Sequence, residues 1–115
     1  MKVAVSSTGP DLDSQIDPRF GRCSYFIIIN PEDMAFEVYP NENASLGGGA
    51  GIQSAQFVAS KGAQVVITGN CGPKAMKALE AAGIKVISNQ TGTVREAIEQ
   101  FKEGRLEPAS GPGGP

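Results

Sequence analysis

The chain has 115 residues, a formal net charge of −2 and an apolar fraction of 40%, which together indicate one globular domain. It contains no histidine, so a Ser-His-Asp triad and a histidine-bearing zinc site are excluded. The nearly balanced charge is unlike that of nucleic-acid and membrane-surface binders, and no apolar run reaches the roughly 20 residues that span a bilayer.

The cysteine content and the N-terminus bear on the cellular compartment. Two cysteines, Cys23 and Cys71, are too few for the disulfide framework of a small secreted protein. The apolar run at residues 3–5 turns polar at Ser6, which is typical of a strand and not of a signal peptide. We therefore expect a cytoplasmic protein with two reduced thiols.

The first half of the chain predicts three strands. Residues 3–5 form a short apolar run that ends in a loop, and residues 25–29 give the strongest strand pattern of the chain. Phe36 and Val38 mark a third strand, which Pro40 ends. Because only four or five turn residues separate the second and third strands, we expect them to form a hairpin.

The second half of the chain alternates helices with strands. Thr93 and Glu96 form a capping-box pair ahead of the clearest amphipathic pattern, and Gly62, Gly83 and Gly104 are the expected helix stops. The predicted helices begin near residues 50, 73 and 94, and the predicted strands span residues 65–67 and 84–87. The Gly- and Pro-rich residues 105–115 are predicted to form a flexible tail after a single domain at residues 1–104.

This element order predicts an α/β fold. Strand–helix–strand units cross over right-handed, which gives a largely parallel sheet with helices on its faces, and the hairpin makes the second of five strands antiparallel. The loops at residues 6–22, 41–51, 68–73 and 88–92 then emerge at one edge of the sheet, beside Cys23. Open α/β sheets bind ligands outside the carboxyl ends of their strands, so this edge is the expected ligand site.

A glycine-rich loop lies at that edge. Gly47, Gly48, Gly49 and Gly51 precede the first predicted helix, where exposed backbone N–H groups and the helix dipole attract anions. The alternative interpretation is a flexible loop with a glycine-rich helix start. The loop lacks the Gly-Lys-Ser/Thr ending of a P-loop, and it does not follow the first strand as a dinucleotide-binding motif does.

The two cysteines each allow two interpretations. Cys71 lies one or two residues before a predicted helix, a position that lowers the pKa of a thiol and favours a soft metal or redox role. The alternative is a small loop residue. Cys23, at the start of the second strand, is more typical of a buried apolar position than of a ligand.

The loop at residues 6–22 carries charges of both signs. Arg19 and Arg22 flank Phe20 and Gly21, and they either hold an anionic ligand or pair with the aspartates of this loop. Those aspartates fail the spacing of a calcium-binding loop, because the twelfth position is arginine instead of glutamate. We therefore interpret the acidic residues, which are Asp11, Asp13 and Asp17, as part of a solvated loop.

The ordered set of motifs resembles the dinitrogenase iron–molybdenum cofactor biosynthesis family over residues 1–104. The motifs are Met1-Lys2-Val3-Ala4-Val5-Ser6-Ser7, Phe20-Gly21-Arg22, Gly47-Gly48-Gly49-Ala50-Gly51-Ile52-Gln53, Gly72-Pro73-Lys74-Ala75, Ala82-Gly83-Ile84-Lys85-Val86 and Gly92-Thr93-Val94. The resemblance implies a three-layer α/β/α domain with a five-stranded mixed sheet of the ribonuclease H-like type. It also implies binding of metal–sulfur clusters without catalysis.

The same resemblance implies the site. It identifies Phe20, Gly21 and Arg22 with the glycines at 47, 48, 49, 51 and 72 as cofactor-binding. The chain's own residues add Arg19 to this set and offer Cys71 and Cys23 as metal-ligand candidates. Many family members carry histidine where this chain has Arg19 and in the segment where it has residues 44–46. A cluster is therefore expected to be held by thiolates, or by backbone N–H groups and arginines.

The leading hypothesis is a non-enzymatic binding or carrier protein for an anionic iron–sulfur or molybdenum-containing metal–sulfur cluster, or for its precursor. Its partners would be that ligand and cluster donor or acceptor proteins, with no nucleic acid and no membrane. One alternative is a phosphate-ligand or nucleotide-binding protein that uses the same edge. The other is a ligand-free interaction module.

Overall fold

The computed structural model of the chain describes residues 1–45 and 48–106. Gly47 of the predicted ligand loop and residues 107–115 of the predicted tail lie outside this part of the chain. The elements are five strands and three helices: β1 (Lys2–Ser7), β2 (Tyr25–Ile29), β3 (Phe36–Pro40), α1 (Ala50–Ser60), β4 (Ala63–Ile67), α2 (Pro73–Ala81), β5 (Lys85–Ile87) and α3 (Val94–Lys102). None of these helices is long and apolar enough to cross a membrane.

The five strands form one mixed sheet in the order β3-β2-β1-β4-β5. Strand β2 is antiparallel to β1 and β3, whereas β1 and β5 run parallel to β4. Val5 fixes the central register, opposite Ile27 of β2 and Ile67 of β4. The predicted α/β class and the antiparallel second strand are confirmed, and β1, β3, β4 and β5 all end at one edge, which we call the carboxyl edge.

Two clusters of buried side chains use alternate residues of the strands. Ala4 packs in the cluster that holds Val58 of α1 and Leu79 of α2, whereas its neighbour Val5 packs with Ile98 of α3. Successive side chains of a strand point to opposite faces of the sheet, so the central strands are buried on both sides. This explains why their sequences are unbroken apolar runs.

The loop after β1 is fastened to its surroundings by backbone and side-chain bonds. The Ser6 hydroxyl donates to the carbonyl oxygen of Asp17 at 2.8 Å, and the Asp17 N–H donates to the carbonyl oxygen of Ser6 at 2.9 Å. Leu12 and Ile16 are buried in the cluster that contains Val5 and Ile98 of α3. Strand β1 continues to Ser7, past the predicted end at residue 5, because Ser6 and Ser7 pair with Phe26 and Tyr25 of β2.

The start of α3 has its backbone donors satisfied. The hydroxyl of Thr93 accepts from the N–H of Glu96 at 3.1 Å, and the carboxylate of Glu96 accepts from the N–H of Thr93 at 2.9 Å, so the predicted capping box is confirmed. The N–H groups of Val94 and Arg95 donate to carbonyl oxygens of the 12–14 segment.

The capping box makes stability depend on pH. Hydrogen bonds from the Thr93 backbone N–H and from its side chain lower the pKa of Glu96 below its ordinary value of 4.5. A lowered carboxyl pKa stabilises the fold above the unfolded-state value, and this contribution is lost as the pH falls through the folded-state value. We expect Glu96→Gln to lower the free energy of unfolding at pH 7, and the difference from the unmodified protein to disappear on acidification below 4.5.

Urea unfolding at a series of pH values measures this difference. Glu99→Gln, on the same helix and without a side-chain hydrogen bond to the described residues, is the control. A difference for Glu96→Gln that stays constant with pH would contradict the proposed cause.

Candidate functional site

Two helices begin side by side at the carboxyl edge without side-chain caps. Gly49 (φ 76°) is the N-cap residue of α1 and Gly72 (φ −64°) that of α2. A Cβ placed on Gly51 would lie 2.9 Å from the Cβ of Ala75, so the first turns of the two helices are in direct contact. The site therefore combines two helix N-termini, each of which carries a partial positive charge.

The amides of these first turns have no partner of their own. The first N–H groups of a helix find no acceptor within it, and neither helix start receives a side-chain cap within residues 1–45 and 48–106. Neither first turn contains an acidic residue, and that of α2 contains Lys74. At α3, by contrast, neighbouring carbonyls and the Thr93 side chain take these donors. Apart from Pro73, which has no N–H, the first turns of α1 and α2 thus offer N–H donors to an anion.

A tight backbone contact joins the 20–22 turn to the start of α1. A Cβ on Gly21 would lie 2.8 Å from both the Cα and the N of Gly51, so only glycine fits there. The side chain of Asn41 donates to the carbonyl oxygens of Gly21 at 3.0 Å and Cys23 at 2.9 Å. Asn41 therefore ties the end of β3 to this turn, a role that no local sequence pattern indicates.

The two arginines of this region have different partners. Arg19 donates from Nε and Nη2 to the Asp17 carboxylate at 3.2 and 3.3 Å, so the predicted pairing with an aspartate of this loop is present. Arg22 donates from Nη1 to the carbonyl oxygen of Ala44 at 2.8 Å. Of the other aspartates, Asp13 pairs with Arg95 at 2.9 Å.

Phe20 contributes to the site through its backbone. Its side chain is buried and lies 5.3 Å, between ring centroids, from that of Phe26, so the aromatic ring belongs to the core and does not face a ligand. Its N–H donates to the carbonyl oxygen of Asn70 at 3.1 Å, and the Asn70 N–H donates to that of Pro18 at 2.7 Å. These bonds join the 20–22 turn to the loop that leads into α2.

The thiols are less acidic than the sequence predicts. Burial raises the pKa of the half-buried Cys71 thiol to about 11, so the predicted lowering is wrong: loss of solvation disfavours the thiolate. Cys23 is fully buried, its Sγ–H donates to the carbonyl oxygen of Phe20 at 3.2 Å, and burial raises its pKa to about 12. Both are protonated thiols at neutral pH.

The arrangement favours backbone binding over metal ligation. No group of three or more Cys, Asp or Glu side chains in the described part of the chain is placed to hold a metal ion. The structure brings Gly21, Gly51 and the start of α2 together, and it leaves Gly48, Gly49 and Gly72 exposed around them. What these residues offer is a surface of N–H donors.

Comparison with known proteins identifies the family of the chain. Residues 1–104 match the family described as dinitrogenase iron-molybdenum cofactor. The chain belongs to this family. The resemblance identified from the motifs is thereby confirmed.

Three relatives cover nearly the whole length of the chain. The apo form of the orange protein from Desulfovibrio gigas superposes with a TM-score of 0.92 at 45% identity, over 96% of this chain and 94% of that one. A Thermotoga protein of the DUF35 family, provisionally described as a NifB protein, gives a TM-score of 0.80 at 44% identity, over 93% and 91%. An uncharacterized protein of Methanocaldococcus jannaschii is 34% identical over 110 residues, which are 93% of this chain and 90% of the relative.

The contact between Gly21 and Gly51 predicts a large effect for a small substitution. Gly21→Ala places a methyl group against backbone atoms that cannot move aside as a flexible side chain can, and we expect it to lower the free energy of unfolding by about 1–3 kcal/mol. Gly48→Ala is the matched control, because nothing lies within 4 Å of its Cβ position. We expect the control to change stability by less than about 0.5 kcal/mol in urea unfolding. Equal effects of the two substitutions would contradict the close approach.

Proposed function

We propose that this protein is a non-enzymatic binding or carrier protein for an anionic metal–sulfur cluster or its precursor. The observation that supports it most is the pair of adjacent, uncapped helix starts of α1 and α2, whose amides face a common edge with no acidic residue in either first turn. Membership of a family described by the iron-molybdenum cofactor gives the chemical class of the anion. The similar orange protein is described in an apo form, which implies that it too has a ligand-bound form.

The cluster would be held mainly by hydrogen bonds. The chain has no histidine, and burial keeps both thiols protonated, with pKa values of about 11 for Cys71 and about 12 for Cys23. Sulfide and oxide groups of an anionic cluster accept hydrogen bonds from backbone N–H groups, as anions do at helix N-termini and in backbone nests. Gly72, one residue after Cys71, is the N-cap residue of α2, so Cys71 lies beside the amides that would bind the cluster.

The remaining parts of the proposal concern context. The protein would work in the cytoplasm, and its partners would be proteins that donate the cluster or receive it in cofactor biosynthesis related to nitrogen fixation. The finer fold class would be a three-layer α/β/α domain of the ribonuclease H-like type. Support for that layering comes from the two buried clusters, one with α1 and α2 residues and one with α3 residues.

Loading the protein with a cluster tests the proposal. We expect purified protein incubated anaerobically with iron and sulfide, or with molybdate and sulfide, to gain a charge-transfer absorbance that stays with the protein through gel filtration. Because the raised pKa of Cys71 disfavours the thiolate that a metal ligand requires, we expect Cys71→Ser to change the yield by less than about twofold. Loss of the absorbance in Cys71→Ser would show direct ligation instead. Stabilisation by a nucleotide, without any bound cluster, would favour the phosphate-ligand alternative.

Substitutions at Gly72 separate charge from geometry. Its backbone is extended, with φ −64° and ψ 162°, and nothing lies within 4 Å of its Cβ position, so Ala, Asn and Asp all fit. Asn and Asp cap the α2 amides equally well, but only Asp adds a negative charge. We expect Gly72→Asp to weaken binding of tetrathiomolybdate, a molybdenum–sulfur dianion, by roughly tenfold or more, and Gly72→Asn to weaken it less.

Gly72→Ala is the control for that series, because it leaves both the amides and the charge unchanged. We expect it to bind tetrathiomolybdate as the unmodified protein does, in calorimetric titration at one salt concentration. Equal binding by the Asp and Ala variants would place the anion elsewhere. Thermal unfolding of each variant confirms that the fold is retained.

A further inference from the structure

The Asp17–Arg19 ion pair is asymmetric in burial. The side chain of Asp17 is 2% exposed, whereas that of Arg19 is 63% exposed. Two backbone bonds fix Asp17 to Ser6 of β1, one from the Ser6 hydroxyl at 2.8 Å and one from the Asp17 N–H at 2.9 Å. The Asp17 carboxylate is therefore held at a fixed position inside the fold, and the Arg19 guanidinium is exposed to solvent.

The contacts of Asp17 fix the plane of the Arg19 guanidinium. Oδ1 accepts from the Arg19 backbone N–H at 3.0 Å and from Nε at 3.2 Å, and Oδ2 accepts from Nη2 at 3.3 Å. A two-point bond between guanidinium and carboxylate is more specific in geometry than a single contact. Nη1 makes no hydrogen bond to the residues that the structure describes, so its N–H donors face outward.

The position of Arg19 places these donors at the carboxyl edge. The backbone of Arg19 forms an isolated parallel β-bridge with that of Asn70, which lies two residues before Gly72 at the start of α2. Gly21, two residues after Arg19, lies against Gly51 of α1. The backbone of the 19–21 segment thus runs from the start of one uncapped helix to that of the other.

Arg22 has a different task at the same edge. Its Nη1 donates to the carbonyl oxygen of Ala44, and Asn41 bonds the same turn at Gly21 and Cys23. Both contacts fasten the 41–44 segment to the turn. Arg22 therefore helps to hold residues 41–44 against the turn.

We propose that Arg19 contacts the anionic cargo and that Asp17 is a positioning residue that holds the Arg19 guanidinium toward it. This inference rests on the proposed function. Because Asp17 neutralises Arg19, the pair offers oriented N–H donors with little net charge. The cargo it suits is an anion rich in hydrogen-bond acceptors, such as a thiometallate, and binding should depend on donor geometry more than on net charge.

The substitution Asp17→Asn tests this proposal, because the two explanations predict opposite changes in the affinity for the anion. Removing a negative charge near an anion strengthens binding if charge alone matters. Removing the group that orients Arg19 weakens it, even though the site becomes more positive. We expect Asp17→Asn to weaken tetrathiomolybdate binding by roughly threefold and Arg19→Gln by roughly tenfold.

The double variant and a charge-conserving variant complete the test. If Asp17 acts through Arg19, Asp17→Asn combined with Arg19→Gln should bind no worse than Arg19→Gln alone. Arg19→Lys keeps the positive charge but loses the planar set of N–H donors of the guanidinium. Its affinity for tetrathiomolybdate should therefore stay well below that of the unmodified protein. The control is Asp13→Asn, which removes the carboxylate that pairs with Arg95 in the same loop; we expect binding there to be unchanged or slightly tighter.

Calorimetric titration with tetrathiomolybdate at two salt concentrations gives these affinities, with thermal unfolding to confirm folding. Tighter binding in Asp17→Asn, strictly additive losses in the double variant, or full binding by Arg19→Lys would overturn the positioning role while leaving the proposed function intact. If Asp17→Asn does not fold, the Arg19→Lys and Arg19→Gln pair decides alone. Failure of the unmodified protein to bind any metal–sulfur anion would overturn both.

Discussion

The arrangement at the carboxyl edge depends on one constraint, the close approach of three backbone segments. Gly21 lies against Gly51, and Gly51 lies against Ala75, so a turn and two helix starts meet with no side chain between them. Small residues at these three positions permit the contact. A larger residue at any of them would separate the two sets of amides, and an anion would then face one helix start instead of two.

The three helix starts show how the sequence distributes its donors. Thr93, Glu96 and the carbonyls of the 12–14 segment satisfy α3, so that end serves stability alone. Gly49 and Gly72 provide no side-chain cap for α1 and α2; at Gly72, whose backbone is extended, a serine or aspartate would stabilise α2 by roughly a few tenths of a kcal/mol. The chain forgoes that stabilisation at the edge where its glycines gather, which is the pattern expected where a ligand supplies the missing acceptors.

Much of the fold follows from local sequence. Unbroken apolar runs identify the central strands, and the stops at Gly62 and Gly83 follow from their left-handed φ values of 82° and 76°. The order of elements then fixes which loops share an edge, because parallel strands need crossovers of one hand. The capping box at Thr93 is equally local, since both of its partners lie within four residues.

The details of the site depend on contacts that are distant in sequence. Cys71 illustrates this: its place before a helix is visible in the sequence, but the burial that raises its pKa comes from packing against the α1–α2 cluster. Asn41 bonds a turn some twenty residues away, and no motif marks it. The pairing of Arg19 with Asp17 is likewise visible only in the structure, because the burial of Asp17 depends on its bonds to β1.

A site made of amides suits a carrier better than a site made of thiolates. A cluster held by metal–thiolate bonds must exchange those bonds when it is handed to another protein. In the proposed site, hydrogen bonds from Gly51, Ala75 and their neighbours would break singly and reform with water, so the cargo would leave with its own metal–sulfur bonds intact. The raised pKa values of Cys71 and Cys23 would act in the same direction, because the nucleophilic thiolate is a minor species at neutral pH. In this protein, burial of the two cysteines is therefore part of how the proposed site would protect an intact cluster.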